Sequence, residues 1–273
     1  MPSPTRAAEE GSVCPNANRA AGKDTVYRKG KMAKKKVLIT GAAGRIGKVL
    51  NEGLKDRYDI RVLYNRTVLE SQFGEEVMIG NITDLKKMEE VVDGCHAVIH
   101  MAGNPSMQAT FLEVHEANSL GTYCIYEACI RKGVQRVIFA STNHVTGMYE
   151  KAGIYTTPDM PIRPDSFYGA CKAHGEGLGR YYADVHDLSV ICLRIGSFQP
   201  VENVKNRKGD RILSTWLSYK DTVQMHWRSI EADEKVKFAI YYGISGNKRA
   251  YWDIQNAIDE IGYAPEDNAE DWA

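Results

Sequence analysis

From Lys36 to Arg194 the apolar positions of the chain fall into two alternating rhythms. Val37–Thr40, Ile60–Tyr64, Ala97–Met101, Arg136–Ser141 and Ser189–Arg194 are short, nearly continuous apolar runs, the pattern of strands covered on both faces. A further strand is expected just ahead of Asn81. Between these runs, Gly44–Lys55, Asp84–Val92, Phe111–Lys132 and Phe167–His186 read as helices. Strands alternating with helices predict a parallel sheet, because parallel neighbours must be joined by a crossover that is usually helical. After Gly196 the rhythm is less regular. A helix near Lys220–Ala232, a strand at Phe238–Ile244 and a helix at Trp252–Ile261 are expected there. The expected organisation is an α/β domain over 34–196 and a small cap over 197–273. Residues 1–33 are rich in Ala, Gly, Pro and charge without periodicity, and are expected to be a disordered tail. They hold no apolar core of a secretory signal, and Met32 reads as an alternative start ahead of the Lys34–Lys36 run.

Composition narrows the function classes. The 273 residues include 35 Lys plus Arg against 35 Asp plus Glu, so no net field draws the chain to nucleic acid or an anionic membrane. No apolar run is long enough to span a bilayer. Neither nucleic acid nor membrane is an expected partner. The six cysteines, Cys14, Cys95, Cys124, Cys129, Cys171 and Cys192, form no CxxC pair, which argues against a metal or redox site. Reduced thiols and a cytoplasmic location are expected.

The first strand ends in Thr40, and Gly41, Gly44 and Gly47 follow as the next helix opens. Gly41 suits the tight turn, Gly44 lets backbone approach a pyrophosphate, and Gly47 permits close helix–sheet packing. The N–H groups of that helix start, including those of Arg45 and Ile46, face the phosphates with the positive end of the helix dipole. A dinucleotide is the expected ligand, and a doubly wound Rossmann sheet the expected fold. An acidic residue at the end of the second strand would bond the adenosine ribose. Here Asn65 and Arg66 stand there. Asn65 removes repulsion against a 2′-phosphate, while Arg66 and Arg45 add cations. The cofactor is therefore expected to be NAD or NADP, with the balance towards NADP.

Tyr168 and Lys172 form a YxxxK pattern near the start of a predicted helix, and a spacing of four puts both on one face. A phenol ionises near pKa 10, so its use as a base needs a neighbouring cation such as Lys172. One strand–loop–helix unit earlier, Ser141, Thr142, Asn143 and His144 lie at the C-terminal edge of the sheet, where ligands of such folds bind.

The Gly-x-x-Gly-x-x-Gly spacing followed by YxxxK resembles the extended short-chain dehydrogenase/reductase superfamily, which includes the NAD-dependent epimerases and dehydratases. Segments 141–144, 163–169, 194–197, 211–216 and 265–270 resemble the uronate dehydrogenases and their sugar-dehydrogenase relatives. That resemblance implies oxidation of a sugar at its anomeric carbon to a lactone. Tyr168 would be the base and Lys172 its activator and cofactor-ribose ligand. Thr142 would hold the reacting oxygen, with Ser141 its rival, and Asn118 would support Lys172 through water. The cofactor would also touch Asn81 and Ile82 at its adenine, the segment Met101, Ala102 and Gly103, and Ile195. Ser106, Asn143, His144 and Ser197 would line the sugar, and Arg211 would grip a carboxylate, for which its fork is suited. Two departures stand out: the family's ribose-binding Asp is Asn65 here, and the loop Phe198–Asp210 is long and carries Lys205, Arg207 and Lys208, which favours a sugar phosphate or another acid. A homo-oligomer is compatible with the resemblance.

Two rivals share the fold. A nucleotide-sugar epimerase or dehydratase needs a larger C-terminal region than the one after Gly196. A redox sensor that binds NADP without catalysis has lost the Tyr or the Lys, and this chain keeps both. A reductase of non-sugar ketones is a third alternative, against which the Arg211 segment argues.

Overall fold

The computed structural model describes residues 33–205, 207 and 211–273; the expected tail over 1–33 otherwise lies outside the described residues. In chain order the elements are β1 (Lys36–Thr40), α1 (Arg45–Leu54), β2 (Asp59–Tyr64), β3 (Glu76–Ile79), α2 (Leu85–Val92) and β4 (Ala97–His100). Then come α3 (Phe111–His115), a π-turn (Glu116–Leu120), α4 (Gly121–Lys132), β5 (Arg136–Thr142), α5 (Gly147–Lys151) and α6 (Phe167–His186). The remainder is β6 (Ser189–Ile195), β7 (Ser197–Phe198), α7 (Ile212–Thr215), β8 (Trp216–Leu217), α8 (Tyr219–Ile230), β9 (Phe238–Gly243) and α9 (Gln255–Ile261).

Seven strands form one sheet in the order β3-β2-β1-β4-β5-β6-β9, and every pair is parallel. The expected doubly wound Rossmann sheet is thus present, extended by β9. Alternate residues of β1 serve opposite faces: Val37 and Ile39 join a core with Leu50 and Leu54 of α1, while Leu38 joins Met88, Val92, Ile125 and Tyr126 on the other side. That two-sided burial is why the strands read as continuous apolar runs. No helix among the described residues is long and apolar enough to cross a membrane.

The expected boundary at Gly196 is corrected by the sheet. Strand β9 pairs with β6 from Val190↔Phe238 to Ile195↔Gly243. Helix α8 covers the same sheet, its Val223 so close to Gly53 of α1 that an added Cβ there would lie 2.4 Å from it. Residues 34–273 form one compact unit. The sequence pattern hid this because a single late strand, separated from β6 by a long excursion, carries no local mark of which sheet it joins. What stands apart from the sheet is the β7–β8 ribbon and a small cluster of Val204, Leu213, Trp216 and Ala269.

The expected helix over Phe111–Lys132 is also interrupted. The π-turn widens its middle and places the buried Asn118 inward. π-turns occur mostly as single turns of this kind, often at functional sites.

Buried charge locks α6 onto the sheet. Arg194 of β6 donates from Nε and Nη2 to Glu176 of α6 at 2.9 and 2.8 Å, and the Ser141 hydroxyl donates to the same carboxylate at 2.5 Å. Both charged side chains are buried, so removing either partner would cost about 3–5 kcal/mol. This clamp lies one turn beyond Lys172.

Candidate active site

Helix α1 begins at Gly44 with no capping side chain and no acidic residue in its first turn, whereas α2, α6 and α8 are capped by Asp84, Ser166 and Ser218. The N–H groups of Arg45, Ile46 and Gly47 are the first-turn donors for which an α-helix supplies no acceptor. Gly41 has φ +67°, and a Cβ there would meet the Ala102 backbone at 2.8 Å. A Cβ on Gly47 would lie 2.6 Å from the Cα of Ala42 and the carbonyl of Gly41. The loop is therefore a backbone cradle that side chains would fill, with open donors at a helix start. These features fit a pyrophosphate.

Beside the cradle runs a buried polar chain. Thr40, last in β1, and His100, last in β4, are register partners. The Thr40 hydroxyl accepts from the N–H groups of Met101 and Ala102, each at 3.1 Å, so its proton points to His100 Nδ1, 2.9 Å away. His100 Nε2 then donates to Thr122, 3.3 Å away, whose hydroxyl donates to the Asn118 carbonyl at 2.8 Å. Burial pushes the His100 pKa down to about 3, with Lys172 acting in the same direction, so this ring is a neutral spacer. The Asn118 side chain bonds Asn104 twice, accepting from its N–H at 2.7 Å and donating to its carbonyl at 2.9 Å. That pairing holds the loop from Met101 through Gly103 to Ser106, whose N–H donates to the Asn104 side chain at 3.1 Å.

Tyr168 and Lys172 project from the first turns of α6, whose N-cap Ser166 accepts from Gly169 N–H at 3.1 Å. Thr142, at the end of β5, stands beside the half-buried Tyr168 phenol, and its hydroxyl acts to lower the phenol pKa. Ser141 is engaged by Glu176, which leaves Thr142 as the strand-end hydroxyl at this site. Lys172 is buried, with Nζ 4.7 Å above the Phe139 ring, and desolvation brings its pKa down to about 8. A Cβ on Gly103 would lie 2.6 Å from Asn118 Oδ1 and 3.7 Å from Lys172 Nζ, so the three residues are neighbours. Burial raises the Tyr168 pKa, and the opposing influence is the neighbouring Thr142 hydroxyl.

Past Thr142, the remaining polar groups gather at the ends of β5 and β6. His144 Nδ1 lies 3.1 Å from Asp165, and its ring meets the Tyr168 ring edge-on at 6.1 Å. Oriented by its partners, the Asn143 amide donates to the Ile195 carbonyl at 3.0 Å and accepts from Arg211 Nη2 at 3.1 Å. Ser197 accepts from Arg211 Nη1 at 3.1 Å and bonds Thr215 at 2.8 Å. Arg211 also bonds Glu150 of α5 through Nε and, at 2.8 Å, through Nη2. Tyr251 donates to Glu150 at 2.9 Å. Burial favours the neutral form of Glu150, but the Arg211 bonds outweigh it and its pKa is lowered.

The structure brings most of the sequence-nominated residues together along the C-terminal edge of the sheet. Asn65 and Arg66 are exposed beyond β2, and Asn81 is exposed beyond β3. Ile82 differs: its side chain is buried against Gly121, leaving backbone for a ligand. In the loop before Arg211, Lys205 lies 5.8 Å over the Trp272 ring, while Lys208 and Asp210 lie outside the described residues. Thr40, His100 and Glu150 were not nominated. The first two end strands at the sheet's switch point, a signal available in the sequence. Glu150, 61 positions from Arg211, carries none.

Comparison with known proteins agrees with this geometry. Residues 37–219 match the model of the NAD dependent epimerase/dehydratase family. The chain is 37% identical over 251 residues to the NAD-dependent glucose-6-phosphate dehydrogenase of Haloferax volcanii, covering 85% of this chain and 94% of that one. It is 34% identical over 252 residues to the L-arabinose 1-dehydrogenase (NAD(P)(+)) of the same organism, covering 86% and 97%. The crystal structure of uronate dehydrogenase from Agrobacterium tumefaciens superposes with a TM-score of 0.79 at 32% identity, over 88% of this chain and 87% of that one. The uncapped glycine cradle, the Tyr168–Lys172 pair and these matches make the chain a member of the NAD-dependent epimerase/dehydratase family, among the sugar dehydrogenases similar to uronate dehydrogenase.

Proposed function

We propose that this protein is an NAD(P)-dependent dehydrogenase that oxidises the anomeric carbon of a cyclic sugar to a lactone. The carrying observation is the Tyr168 phenol beside Thr142, one helical turn from the buried Lys172, at a sheet edge lined by Asn143, His144 and Ser197. When bound, the nicotinamide supplies a two-electron acceptor for the hydride of C1. The C1 hydroxyl gives its proton to the Tyr168 phenolate as the C1–O bond becomes a carbonyl. Thr142 holds the reacting oxygen against Tyr168, and Lys172 bonds the cofactor ribose and supports the phenolate. Asn118 keeps the Met101–Gly103 loop in place. Ser106, Asn143, His144, Ser197 and Arg211 orient the sugar.

The cofactor would lie across Gly41–Gly47 on the backbone of Arg45 and Ile46. Its adenosine end would reach Asn65, Arg66, Asn81 and Ile82, and its nicotinamide end Ile195. NADP is the preferred form in this reading, because Arg45 and Arg66 are exposed and make no ion pair among the described residues.

The test is absorbance of reduced nicotinamide during incubation with aldoses, uronates and sugar phosphates, each with NAD and NADP. Lactone formation with stoichiometric cofactor reduction is expected, and Tyr168→Phe should lower kcat at least 100-fold. Conversion of a nucleotide sugar without net reduction would point to the epimerase rival instead.

A further inference from the structure

The Arg211 guanidinium reaches the sugar site already partnered. It offers five N–H donors in a planar fork. Glu150 takes the Nε/Nη2 edge through both carboxylate oxygens, Ser197 accepts from Nη1, and the Asn143 oxygen accepts from Nη2. Of the two edges on which a guanidinium can take a carboxylate bidentately, Nε/Nη2 is filled by Glu150 and Nη1/Nη2 is bonded by Ser197 and Asn143. Trp252 stacks on the same group, 5.5 Å from the guanidinium carbon, and Tyr251 holds the Glu150 carboxylate from behind.

Charge closes the same way. Arg211 and Glu150 neutralise each other. The neighbouring Asp165 faces both His144 and Lys151, at 3.1 and 3.8 Å. A sugar carboxylate would meet Glu150 on the Nε/Nη2 edge, and on the Nη1/Nη2 edge it would have to displace Ser197 and Asn143 from a guanidinium whose charge Glu150 already neutralises. Entry on the first edge would require Glu150 to leave its cation, and entry on the second would set two carboxylates on one guanidinium. A hydroxyl needs no such exchange. It can bond Ser197, Asn143 or His144 with the ion pair intact.

We infer that Glu150 sets substrate class: by occupying the Arg211 fork it admits an uncharged aldose and disfavours the corresponding uronate. Arg211 then serves as a neutralised scaffold that holds Asn143 and Ser197 towards the sugar. This rests on the sugar-dehydrogenase function proposed above and narrows its substrate.

The experiment compares matched pairs, glucose with glucuronate and galactose with galacturonate, using NAD and NADP, in the wild type, Glu150→Gln and Glu150→Ala. For the wild type, kcat/KM for the aldose should exceed that for its uronate at least tenfold. In Glu150→Gln the uronate-to-aldose ratio should rise at least tenfold, through a lower KM for the uronate rather than a general change in kcat. A merely structural role would weaken both sugars alike. The wild-type ratio needs no variant to fold, and the cofactor KM checks that each variant has. A wild type that favours the uronate, or an unchanged ratio in both folded variants, overturns this inference while leaving the dehydrogenase function standing. Reduction of neither cofactor by any sugar overturns both.

Discussion

The Thr40 hydroxyl stands 2.9 Å from Nδ1 of His100, joining the last residues of two adjacent strands at the point where the sheet order reverses. Because the same oxygen accepts from Met101 and Ala102, one hydroxyl shapes the loop beside the glycine cradle. Thr40→Val keeps the volume but strands those donors, at roughly 1–3 kcal/mol for each buried group left unpaired. A lower Tm and a several-fold higher KM for the cofactor are expected from thermal unfolding and steady-state kinetics. Wild-type values in both would remove Thr40 from this positioning role.

Lys172 is a buried cation whose described contacts include the Phe139 ring but no carboxylate. Its folded pKa of about 8 lies below the ordinary lysine value, so the unfolded chain binds the proton more tightly than the native one. The resulting penalty is fully present below pH 8 and is relieved as pH rises from 8 towards 10.5. At one pKa unit per 1.36 kcal/mol it amounts to roughly 3 kcal/mol. Lys172→Met should therefore raise Tm by several degrees at pH 7 while abolishing turnover, and the advantage should shrink above pH 8. A variant less stable than wild type at pH 7 would contradict this.

Arg66→Ala tests the preference for a 2′-phosphate. The ratio of kcat/KM for NADP over NAD should fall at least tenfold, because an exposed cation facing a phosphate is lost while NAD has no group there. Double substitution with Arg45→Ala should deepen the effect. An unchanged ratio would assign Arg66 to the solvated surface.

Two glycines make a paired prediction. An added Cβ at Gly47 would press on the backbone of Gly41 and Ala42 at 2.6 Å, where no flexible side chain can give way. Gly47→Ala should abolish cofactor binding by titration. Gly177, inside α6, has nothing within 4 Å of its missing Cβ. Gly177→Ala should leave cofactor binding unchanged and stabilise the fold by roughly 0.5–1 kcal/mol, the helix penalty of glycine.

How much of this was legible before the chain was folded differs by segment. The parallel sheet was, because strands buried on both faces need continuous apolar runs and their crossovers need helices. The glycine cradle and the Tyr168–Lys172 pair were legible too, since each is a local arrangement whose geometry follows from spacing along one element. The π-turn was not: the apolar spacing on either side reads as one helix, and the widening is set by where Asn118 meets Asn104.

The sequence by itself determined the sheet, the glycine loop and the position of the Tyr168–Lys172 pair, because these depend on contacts within a few residues or on a repeating pattern. Tertiary structure alone decided that β9 belongs to the sheet, that Thr142 rather than Ser141 meets Tyr168, and that Arg211 carries Glu150 on its fork. Each of those outcomes depends on groups distant in the chain competing for the same partner. Ser141 is taken by Glu176 and Arg211 by Glu150, and spacing along the chain carries no record of either competition.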